Sequence, residues 1–325
     1  MIVTVTANPA IDRTLALPHE LARGDVQRLT GSESQAGGKG INVSRALRAS
    51  KLDNLAVFPA SADDDFTNLV EAEGLRMLPV PIEGRVRTNF AITESDGTTT
   101  KLNEPGPHLS ADEADALVAA VIAASRDAEW LVLAGSLPRG LDSSFYAALI
   151  EAVRAELGEA APSVAVDSSD APLKALLASG TRVQLIKPNA FELAELSGIA
   201  DGDALEADPQ LAADAAGWAL ENGADAVLAT LGGAGAIYRD ATTSLFAAPP
   251  PTRVRSTVGA GDSSLAGYLL ASVTGAPPER ALAQAVAHGS AAASLPGSGV
   301  PSPEQTRPDL VRITHLTSST KENAS

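Results

Sequence analysis

A glycine-rich turn that ends on an acid is the feature of the chain most suggestive of chemistry. Residues 258–263 read Val-Gly-Ala-Gly-Asp-Ser, and an apolar-periodic helix follows directly. Backbone N–H groups, a helix N-terminus and the carboxylate of Asp262 then meet at one point. Phosphoryl transfer has a use for this arrangement, because amides stabilise the transferring charge while an acid takes the proton of the attacking hydroxyl. Taken alone, the turn equally fits a plain strand-to-helix connection.

The sequence fails two common nucleotide-binding fingerprints. A dinucleotide fingerprint at this turn would need Gly at position 264, where Ser264 stands. No stretch satisfies the Walker pattern, because Lys39 is followed by Gly40. These departures disfavour a Rossmann oxidoreductase and a P-loop kinase.

Two motifs near the N-terminus have residues that suit a sugar phosphate. Asp12 ends the motif 8–12 just beyond a predicted strand, where α/β sheets bind ligands, and is a candidate for sugar hydroxyls. Gly37 and Gly38 allow close backbone approach at a helix start, where Lys39 adds a cation suited to phosphate. Asn42 lies one turn further along that helix. An exposed turn carboxylate and a flexible glycine linker are the alternative interpretations.

Two further segments could contribute polar contacts. Arg87 and Asn89 alternate on one face of a predicted strand, so both could point into one cleft, and an Arg fork there could hold a phosphate. Ser136 and Arg139 follow the hydrophobic strand 130–134 at the ligand edge. A solvated edge strand and an ordinary turn explain these segments about as well.

The second half of the chain contains an amide and a carboxylate that could bind a metal ion together, and a loop of small residues. Asn189 follows a predicted strand and Glu192 starts the next helix, a fair outer-sphere arrangement for hydrated Mg²⁺. Residues 230–236 again follow a strand with small side chains, leaving room for a base or a triphosphate. Glu192 as a simple first-turn helix acid and 230–236 as a tight hairpin turn are the rival interpretations.

Composition narrows the class of protein. The 325 residues include 24 Lys and Arg against 40 Asp and Glu, for a net charge of -16. That balance argues against nucleic acid and anionic membranes as partners, so a phosphorylated substrate needs local cations. The absence of cysteine excludes thiol catalysis and disulfides, and the four His are scattered. With no basic leader and no apolar run long enough to span a bilayer, we expect a cytoplasmic protein.

Strand and helix patterns alternate along the chain. Buried strands are predicted at residues 2–6, 55–59, 130–134, 164–167, 183–187 and 226–230. Helices fall between them, one of them opened by a capping box from Ser110 to Glu113. This rhythm predicts a doubly wound, mainly parallel α/β sheet flanked by helices, in a single domain over 1–316, with a frayed tail at 317–325.

Two polar, β-leaning segments, 12–35 and 85–103, interrupt the rhythm. They predict a small β-sheet lid outside the main sheet, without a helix to cover its second face. Because open strand edges and an apolar face would remain exposed, we expect a homodimer through the lid strands.

Taken together and in order, these motifs identify the chain as similar to the PfkB (ribokinase-like) carbohydrate kinases. The likeness runs from residue 1 to about 300 and is most specific in the Gly-Gly-Lys-Gly helix start and the Gly-Ala-Gly-Asp turn. The motifs that carry it lie at 8–12, 37–43, 103–107, 135–140, 187–192 and 258–263.

The resemblance implies an ATP- and Mg²⁺-dependent kinase that phosphorylates the 6-hydroxyl of fructose 1-phosphate, with Asp262 as base. The implied anion hole consists of the amides of Gly259, Ala260 and Gly261. The implied sugar-phosphate site comprises Asp12, Gly37, Gly38, Lys39, Asn42, Arg87, Asn89, Ser136 and Arg139. The implied nucleotide site comprises Lys187, Asn189, Thr230, Gly232, Gly235 and Ser290, with Asn189 and Glu192 linked to Mg²⁺ through water. A monovalent cation such as K⁺ is implied at Ser256, Val258, Ala292 and Gly297.

Alternatives to this function stay open at the level of sequence. A tagatose 6-phosphate or fructose 6-phosphate kinase of the same family differs by shifts of about an ångström that sequence does not fix. A catalytically silent sugar-phosphate or nucleotide sensor is the alternative of a different class, and the retained acid at Asp262 argues against it. Leu295 and Pro296, where some relatives have a polar Asn, put the cation site in doubt.

Overall fold

The computed structural model describes residues 1–317 and has one large sheet and one small sheet. The strands, in chain order, are β1 (Ile2–Thr6), β2 (Ala10–Ala16), β3 (Gly31–Gly37), β4 (Asn54–Ala60), β5 (Met77–Pro81), β6 (Arg87–Thr93), β7 (Thr99–Asn103), β8 (Trp130–Ala134), β9 (Ser163–Asp167), β10 (Leu185–Ile186), β11 (Ala226–Thr230), β12 (Ala236–Asp240), β13 (Ser244–Ala248) and β14 (Arg312–His315). The helices are α1 (Lys39–Ala49), α2 (Asp65–Ala72), α3 (Ala111–Ser125), α4 (Phe145–Leu157), α5 (Asp170–Ala178), α6 (Ala190–Ser197), α7 (Gly202–Ala207), α8 (Pro209–Glu221), α9 (Ala260–Ser272) and α10 (Pro278–Ala293).

The main sheet has the order β14-β13-β12-β11-β10-β9-β8-β1-β4-β5. Its strands from β5 to β11 are parallel, while β12, β13 and β14 extend it in antiparallel fashion. One apolar cluster joins one face of the sheet to α3, α4, α5, α6 and α8, and a second joins the other face to α1, α9 and α10. The predicted doubly wound α/β architecture is confirmed, since helices cover both faces.

The strand ends bring distant polar segments to one edge. Thr6, Ala134 and Asp167 are neighbours in register at the carboxyl ends of β1, β8 and β9. Further along the same edge, Asn189 pairs with Thr230 in an isolated bridge. Parallel sheets bind ligands beyond these ends, so the register alone collects the segments that the sequence singles out.

The small sheet, with the order β3-β2-β6-β7, confirms that segments 12–35 and 85–103 form a separate sheet, while its action as a lid stays a prediction. One end of the lid packs on the main body, where Ile11 and Ala36 join the buried cluster around Phe58 and Phe66. The outer part is exposed: Leu102 is 54% and Val26 is 93% accessible. The lid is therefore fixed at its base and open at its edges.

Several predicted elements differ in extent from the structure. The capping box of Ser110 and Glu113 is present at the start of α3, as predicted. The strand predicted at 183–187 shrinks to Leu185–Ile186, and the hairpin interpretation of 230–236 is right in part, because β11 and β12 pair antiparallel across it. The predicted tail 317–325 lies outside the described residues except for Thr317.

Over residues 1–317, no helix combines the length and the apolar character needed to cross a bilayer.

Candidate active site

The glycine-rich turn forms the start of α9. Gly259, the residue before the helix, has a φ of 75°, in the left-handed region that favours glycine. The Ala260 N–H donates to the Thr257 carbonyl at 3.3 Å, whereas within residues 1–317 the amides of Gly259 and Gly261 have no acceptor. A Cβ at Gly261 would stand 3.3 Å from the Lys187 Nζ. Free amides beside an ammonium group at a helix N-terminus make a cradle for an anion.

Asp262 lies in the first turn of α9 and is buried. Asn42 donates from Nδ2 to Asp262 Oδ2 at 2.7 Å. Burial, with the charge of Asp167 second, raises the pKa of Asp262 to about 6, although Asn42, Lys187 and Lys39 act in the opposite direction. A carboxyl with a pKa so near neutrality has the basicity that proton abstraction requires.

Asp167, which sequence reasoning assigned only to a strand, is the hub of the site. It is fully buried at the end of β9 and forms ion pairs with Lys39 Nζ at 2.8 Å and Lys187 Nζ at 3.0 Å. Burial acts to raise the pKa of Asp167, but the two ammonium groups prevail and lower it. The available signal was an acid at the end of an otherwise apolar strand, at the ligand edge of the sheet.

Lys39 begins α1 and faces this hub. Its Nζ also lies 3.8 Å from Glu192 Oε1, and the carboxylates of Asp167 and Glu192 raise the pKa of Lys39 above its ordinary value against the effect of burial. The preceding residue, Gly38, has a φ of 115°, and a Cβ there would stand 2.6 Å from the Thr6 side chain. The helix start is thereby pressed against β1, with the ammonium directed along the strand ends.

A second group of predicted residues meets at the lid. Asn89 Nδ2 donates to Asp12 Oδ1 at 3.0 Å across β2 and β6. A Cβ at Gly37 would stand 2.2 Å from an Asp12 carboxylate oxygen, so a side chain at this position would displace the Asp12 carboxylate. Burial is the main cause that raises the pKa of Asp12, opposed by Asn89 and by nearby cations.

Arg87 is held by backbone carbonyls on either side. It donates to the Glu104 oxygen at 3.0 Å and to the Asn8 oxygen at 3.3 Å, while its Nε is buried and has no partner among the described residues. No contact joins Arg87 to Lys39 in the part of the chain that the structure describes. These two cations, each predicted to suit the sugar phosphate, are thus fixed by separate sets of partners.

Asn8, which sequence reasoning left without a role, links the lid to the next strand end. Its Nδ2 lies within hydrogen-bond distance of Ser136 Oγ, at 3.3 Å, and its buried Oδ1 has no partner among residues 1–317. Arg139 donates to the Gly106 carbonyl at 3.2 Å. A Cβ at Gly106 would stand 2.2 Å from Asn8 Oδ1, so the segments around 8, 106 and 136 pack tightly together. An asparagine directly after a buried strand was the available signal.

A cavity of about 1150 Å³ opens beside Asp262. Every predicted nucleotide contact lies on its wall, and the wall includes Lys187, Asn189, Thr230, Gly232, Gly235 and Ser290. Phe191, Val254 and Leu310 add exposed apolar surface to the same wall. The cavity therefore combines ammonium groups near Asp262 with apolar surface further out, as a nucleotide with its phosphates and base would need.

Asn189 and Glu192 form a capping box at the start of α6. Asn189 Oδ1 accepts from the Glu192 N–H at 2.9 Å, and Glu192 Oε2 accepts from the Asn189 N–H at 2.8 Å. The helix-acid interpretation of Glu192 is thus right for one oxygen, while Oε1 stays on the cavity side toward Lys39. In the described residues no three His, Cys, Asp or Glu side chains converge on a direct metal site. The pair fits an ion that keeps most of its waters.

The residues predicted for a monovalent cation lie where two segments meet. The Ser256 amide donates to the Ala293 carbonyl at 3.2 Å, and the Val258 amide donates to Ser256 Oγ at 3.2 Å. The Ala292 carbonyl already accepts from the Leu295 amide at 2.9 Å. Gly297 has a φ of 59° in the same loop. The two segments adjoin, and the Ser256 hydroxyl oxygen and the Ala292 carbonyl each already accept a backbone amide.

Comparison with known proteins agrees with this geometry. The family model described as pfkB family carbohydrate kinase matches residues 5–305. A 1-phosphofructokinase of Xanthomonas campestris is 34% identical over 275 residues, 83% of each chain. A 1-phosphofructokinase of Haloferax volcanii is 33% identical over 323 residues, 97% of each chain.

Among solved structures, phosphofructokinase-2 of Escherichia coli in complex with potassium superposes with a TM-score of 0.84 at 29% identity, covering 94% of this chain and 96% of that one. A complex of the same enzyme with fructose-6-phosphate gives 0.80 at 29% identity, with 90% and 93% covered. The chain belongs to the pfkB family of carbohydrate kinases. It is a sugar-phosphate kinase with the ribokinase-like fold of that family.

The raised pKa of Asp262 predicts a dependence of stability on pH. Above about pH 6 the folded chain holds a buried carboxylate whose charged form it disfavours, whereas the unfolded chain ionises freely from its ordinary value of 3.8. This destabilisation disappears as the pH falls from about 6 to 3.8, because Asp262 is then protonated in the folded state but still ionised in the unfolded state. Asp262→Asn should therefore raise the free energy of unfolding at neutral pH, and less so at about pH 4.

Urea unfolding at both pH values measures this difference. The exposed Asp127→Asn is the control for removing one negative charge. An equal gain for Asp262→Asn at both values would contradict the inference.

Proposed function

We propose that the protein transfers the γ-phosphoryl group of ATP to the 6-hydroxyl of fructose 1-phosphate, giving fructose 1,6-bisphosphate and ADP. The observation that carries the proposal is the basic carboxylate of Asp262 at a helix N-terminus with free amides, beside the ammonium of Lys187. The relatives named 1-phosphofructokinase support this choice of acceptor.

In the proposed step, Asp262 takes the proton of the 6-hydroxyl while the hydroxyl oxygen bonds to the γ-phosphorus. The bond between the γ-phosphorus and the oxygen that bridges to the β-phosphate breaks, and ADP leaves. The amides of Gly259, Ala260 and Gly261 receive the negative charge that spreads over the transferring group. In Ala260 this requires the long 3.3 Å contact with Thr257 to yield. Amides fixed in advance contribute without reorganisation, which is where such sites gain most of their rate.

On the nucleotide side, Lys187, Thr230 and Ser290 line the cavity near the phosphates, and the small residues Gly232 and Gly235 leave space for the base. Asn189 and Glu192 would hold hydrated Mg²⁺, which neutralises phosphate charge when bound. A K⁺ ion near Ser256, Val258, Ala292 and Gly297 is part of the proposal, and the potassium complex of the Escherichia coli relative supports it.

On the sugar side, we assign Asp12 and Asn89 to hydroxyls, with Asn42 adjoining the reacting end. Arg87, with Ser136 and Arg139, would hold the 1-phosphate, because its guanidinium retains donors beyond its two carbonyl contacts. Gly37 and Gly38 admit the substrate close to the backbone. Lys39, paired with Asp167 and near Glu192, is better placed to act on the transferring group.

Fructose 6-phosphate is the second candidate acceptor, since the Escherichia coli relative has been solved with it at similar identity. Tagatose 6-phosphate is an alternative of the same kind. A non-catalytic sensor is less well supported, because a binding protein has no need for a buried acid with a pKa of about 6.

The first test combines substrate choice with the base. We expect purified protein with ATP and Mg²⁺ to turn over fructose 1-phosphate with a higher kcat/KM than fructose 6-phosphate or tagatose 6-phosphate. Asp262→Asn keeps the shape but removes the basicity, so kcat should fall by at least ~10²-fold with KM little changed. A coupled ADP-release assay measures both. Near-normal turnover of the variant would exclude Asp262 as the base. A higher kcat/KM with another sugar phosphate would show that fructose 1-phosphate is not the preferred substrate.

The second test separates the two cations. Arg87→Ala should raise the KM for the sugar phosphate by roughly 30-fold, equivalent to about 2 kcal/mol, with the KM for ATP nearly unchanged. Lys39→Ala should lower kcat as well, because its partners lie beside Asp262. Arg13→Ala, on an exposed position of the same lid sheet, is the matched control. An equal rise of the KM values for ATP and for the sugar phosphate in Arg87→Ala would contradict the assignment of Arg87 to the sugar side of the cleft.

The third test concerns assembly. The lid ends in the open edges of β3 and β7, and Leu102 on β7 is 54% exposed, so we propose a homodimer in which the lid strands pair. Light scattering at micromolar concentration should give about twice the 33.0 kDa chain mass. Leu102→Asp should shift the mass toward that of one chain. A wild-type monomer with full activity would show that the lid needs no partner.

A further inference from the structure

Behind Asn42 lies a charged pair that is not among the residues assigned to either proposed substrate. Arg45, one turn further along α1, donates from Nη1 to Asn42 Oδ1 at 2.8 Å. The same guanidinium donates to both carboxylate oxygens of Glu73, at 2.7 and 2.9 Å, and to the Ala36 carbonyl. Glu73 is the residue directly after α2. Three elements, α1, α2 and β3, therefore converge on this one side chain.

Arginine decides which way the Asn42 amide faces. A guanidinium has donors and no acceptor, so the atom of Asn42 directed at Arg45 must be the carbonyl oxygen Oδ1. The NH₂ group is then left on the opposite side, where Asp262 Oδ2 accepts from it at 2.7 Å. Rotating the amide by half a turn would set two acceptors face to face at Asp262 and two donors face to face at Arg45.

The pair is well placed to hold this orientation. The side chains of Arg45 and Glu73 are 14% and 26% exposed, and the contact is bidentate. Bidentate, shielded pairs keep their geometry better than exposed ion pairs, which are screened and mobile. Among residues 1–317 the other carboxylate oxygen of Asp262, Oδ1, accepts no hydrogen bond, so the oxygen left for a proton is defined.

We infer that Arg45, fixed by Glu73, is a positioning residue that keeps the Asn42 amide donating to Asp262 Oδ2 and so leaves Oδ1 as the oxygen that receives the substrate proton. The inference rests on the proposed role of Asp262 as base. Arg45 itself touches no reacting atom. Its path to Asp262 is the one hydrogen bond to Asn42, while its charge also acts on Asp12. Glu73→Gln keeps that charge in place and is therefore the cleaner variant.

Two kinetic signatures follow from this arrangement. Because the Asn42 bond lowers the pKa of Asp262 against burial and the charge of Asp167, weakening that bond should raise this pKa. Lys187 and Lys39, the other charged groups that act on Asp262, remain in place in an Arg45 variant. The acidic limb of the kcat profile should therefore move to higher pH, and kcat should fall while the KM values stay nearly constant.

The experiment compares Arg45→Met and Glu73→Gln with wild type and with the control Arg48→Met. Arg48 is an exposed arginine on the same helix, and its guanidinium lies beside Gly74, next to Glu73, without contacting Asn42. We expect Arg45→Met to lower kcat by about 10-fold, Glu73→Gln to lower it less, and Arg48→Met to leave it unchanged. Thermal unfolding of each variant checks that it is folded. If Arg45→Met does not fold, the test rests on the kcat of Glu73→Gln.

A double variant isolates the path of the effect. If Arg45 acts through Asn42, then Asn42→Ala with Arg45→Met should be no slower than Asn42→Ala alone, because the shared interaction is lost once. The inference would be overturned if the kcat losses of the two single variants multiplied in the double variant. An acidic limb of the kcat profile that does not move in Arg45→Met would overturn it as well. Loss of activity in Asp262→Asn with a normal kcat in Arg45→Met and Glu73→Gln would overturn it while the proposed function stands. A wild-type protein that phosphorylates none of the sugar phosphates would instead refute the proposed function.

Discussion

The ion triad of Asp167 with Lys39 and Lys187 is the interaction on which the site depends. A fully buried carboxylate is tolerated only with close opposite charges, and removing one partner of such a group typically costs about 3–5 kcal/mol. Lys39 opens α1, Lys187 follows β10, and Asp167 ends β9, so satisfying one charge fixes three segments. The ammonium groups are thereby ordered before any ligand binds, so ligand binding does not have to orient them.

The same triad explains how a chain with a net charge of -16 can work on polyanions. Long-range attraction is absent, so in the proposed function binding relies on short-range groups held in place: two ammonium ions, helix-start amides and the guanidinium of Arg87. The Asp167 charge also acts on Asp262 and, together with burial, keeps it basic near neutral pH. One buried acid thus orders the cations and tunes the second acid.

How far sequence predicts this site depends on the range of the constraint. Gly38 and Gly259 were predictable because each marks a local need, a positive φ at a helix start. The pairing of Arg45 with Glu73 was not, because the partners belong to different helices and look like ordinary surface charges in sequence. The strands β12, β13 and β14 were not predicted for a related reason, since strands of only four or five residues give little periodicity and are defined by their pairing. Asp167 lies between these cases: its strand was predictable, its partners were not.

The two walls of the cleft come from separate stretches of chain. The lid, Asn8 and the loop at Ser136 and Arg139 all precede residue 140, whereas the cavity wall is drawn, apart from Lys39, from residues 187–312. They meet where α1 lies against α9. With the sugar and the nucleotide assigned to these walls as proposed, such a division lets acceptor choice and nucleotide choice diverge independently in descendants of one gene. An exchange of the first segment between relatives would then transplant sugar preference while the donor stays the same, provided that the α1–α9 seam is kept from one parent.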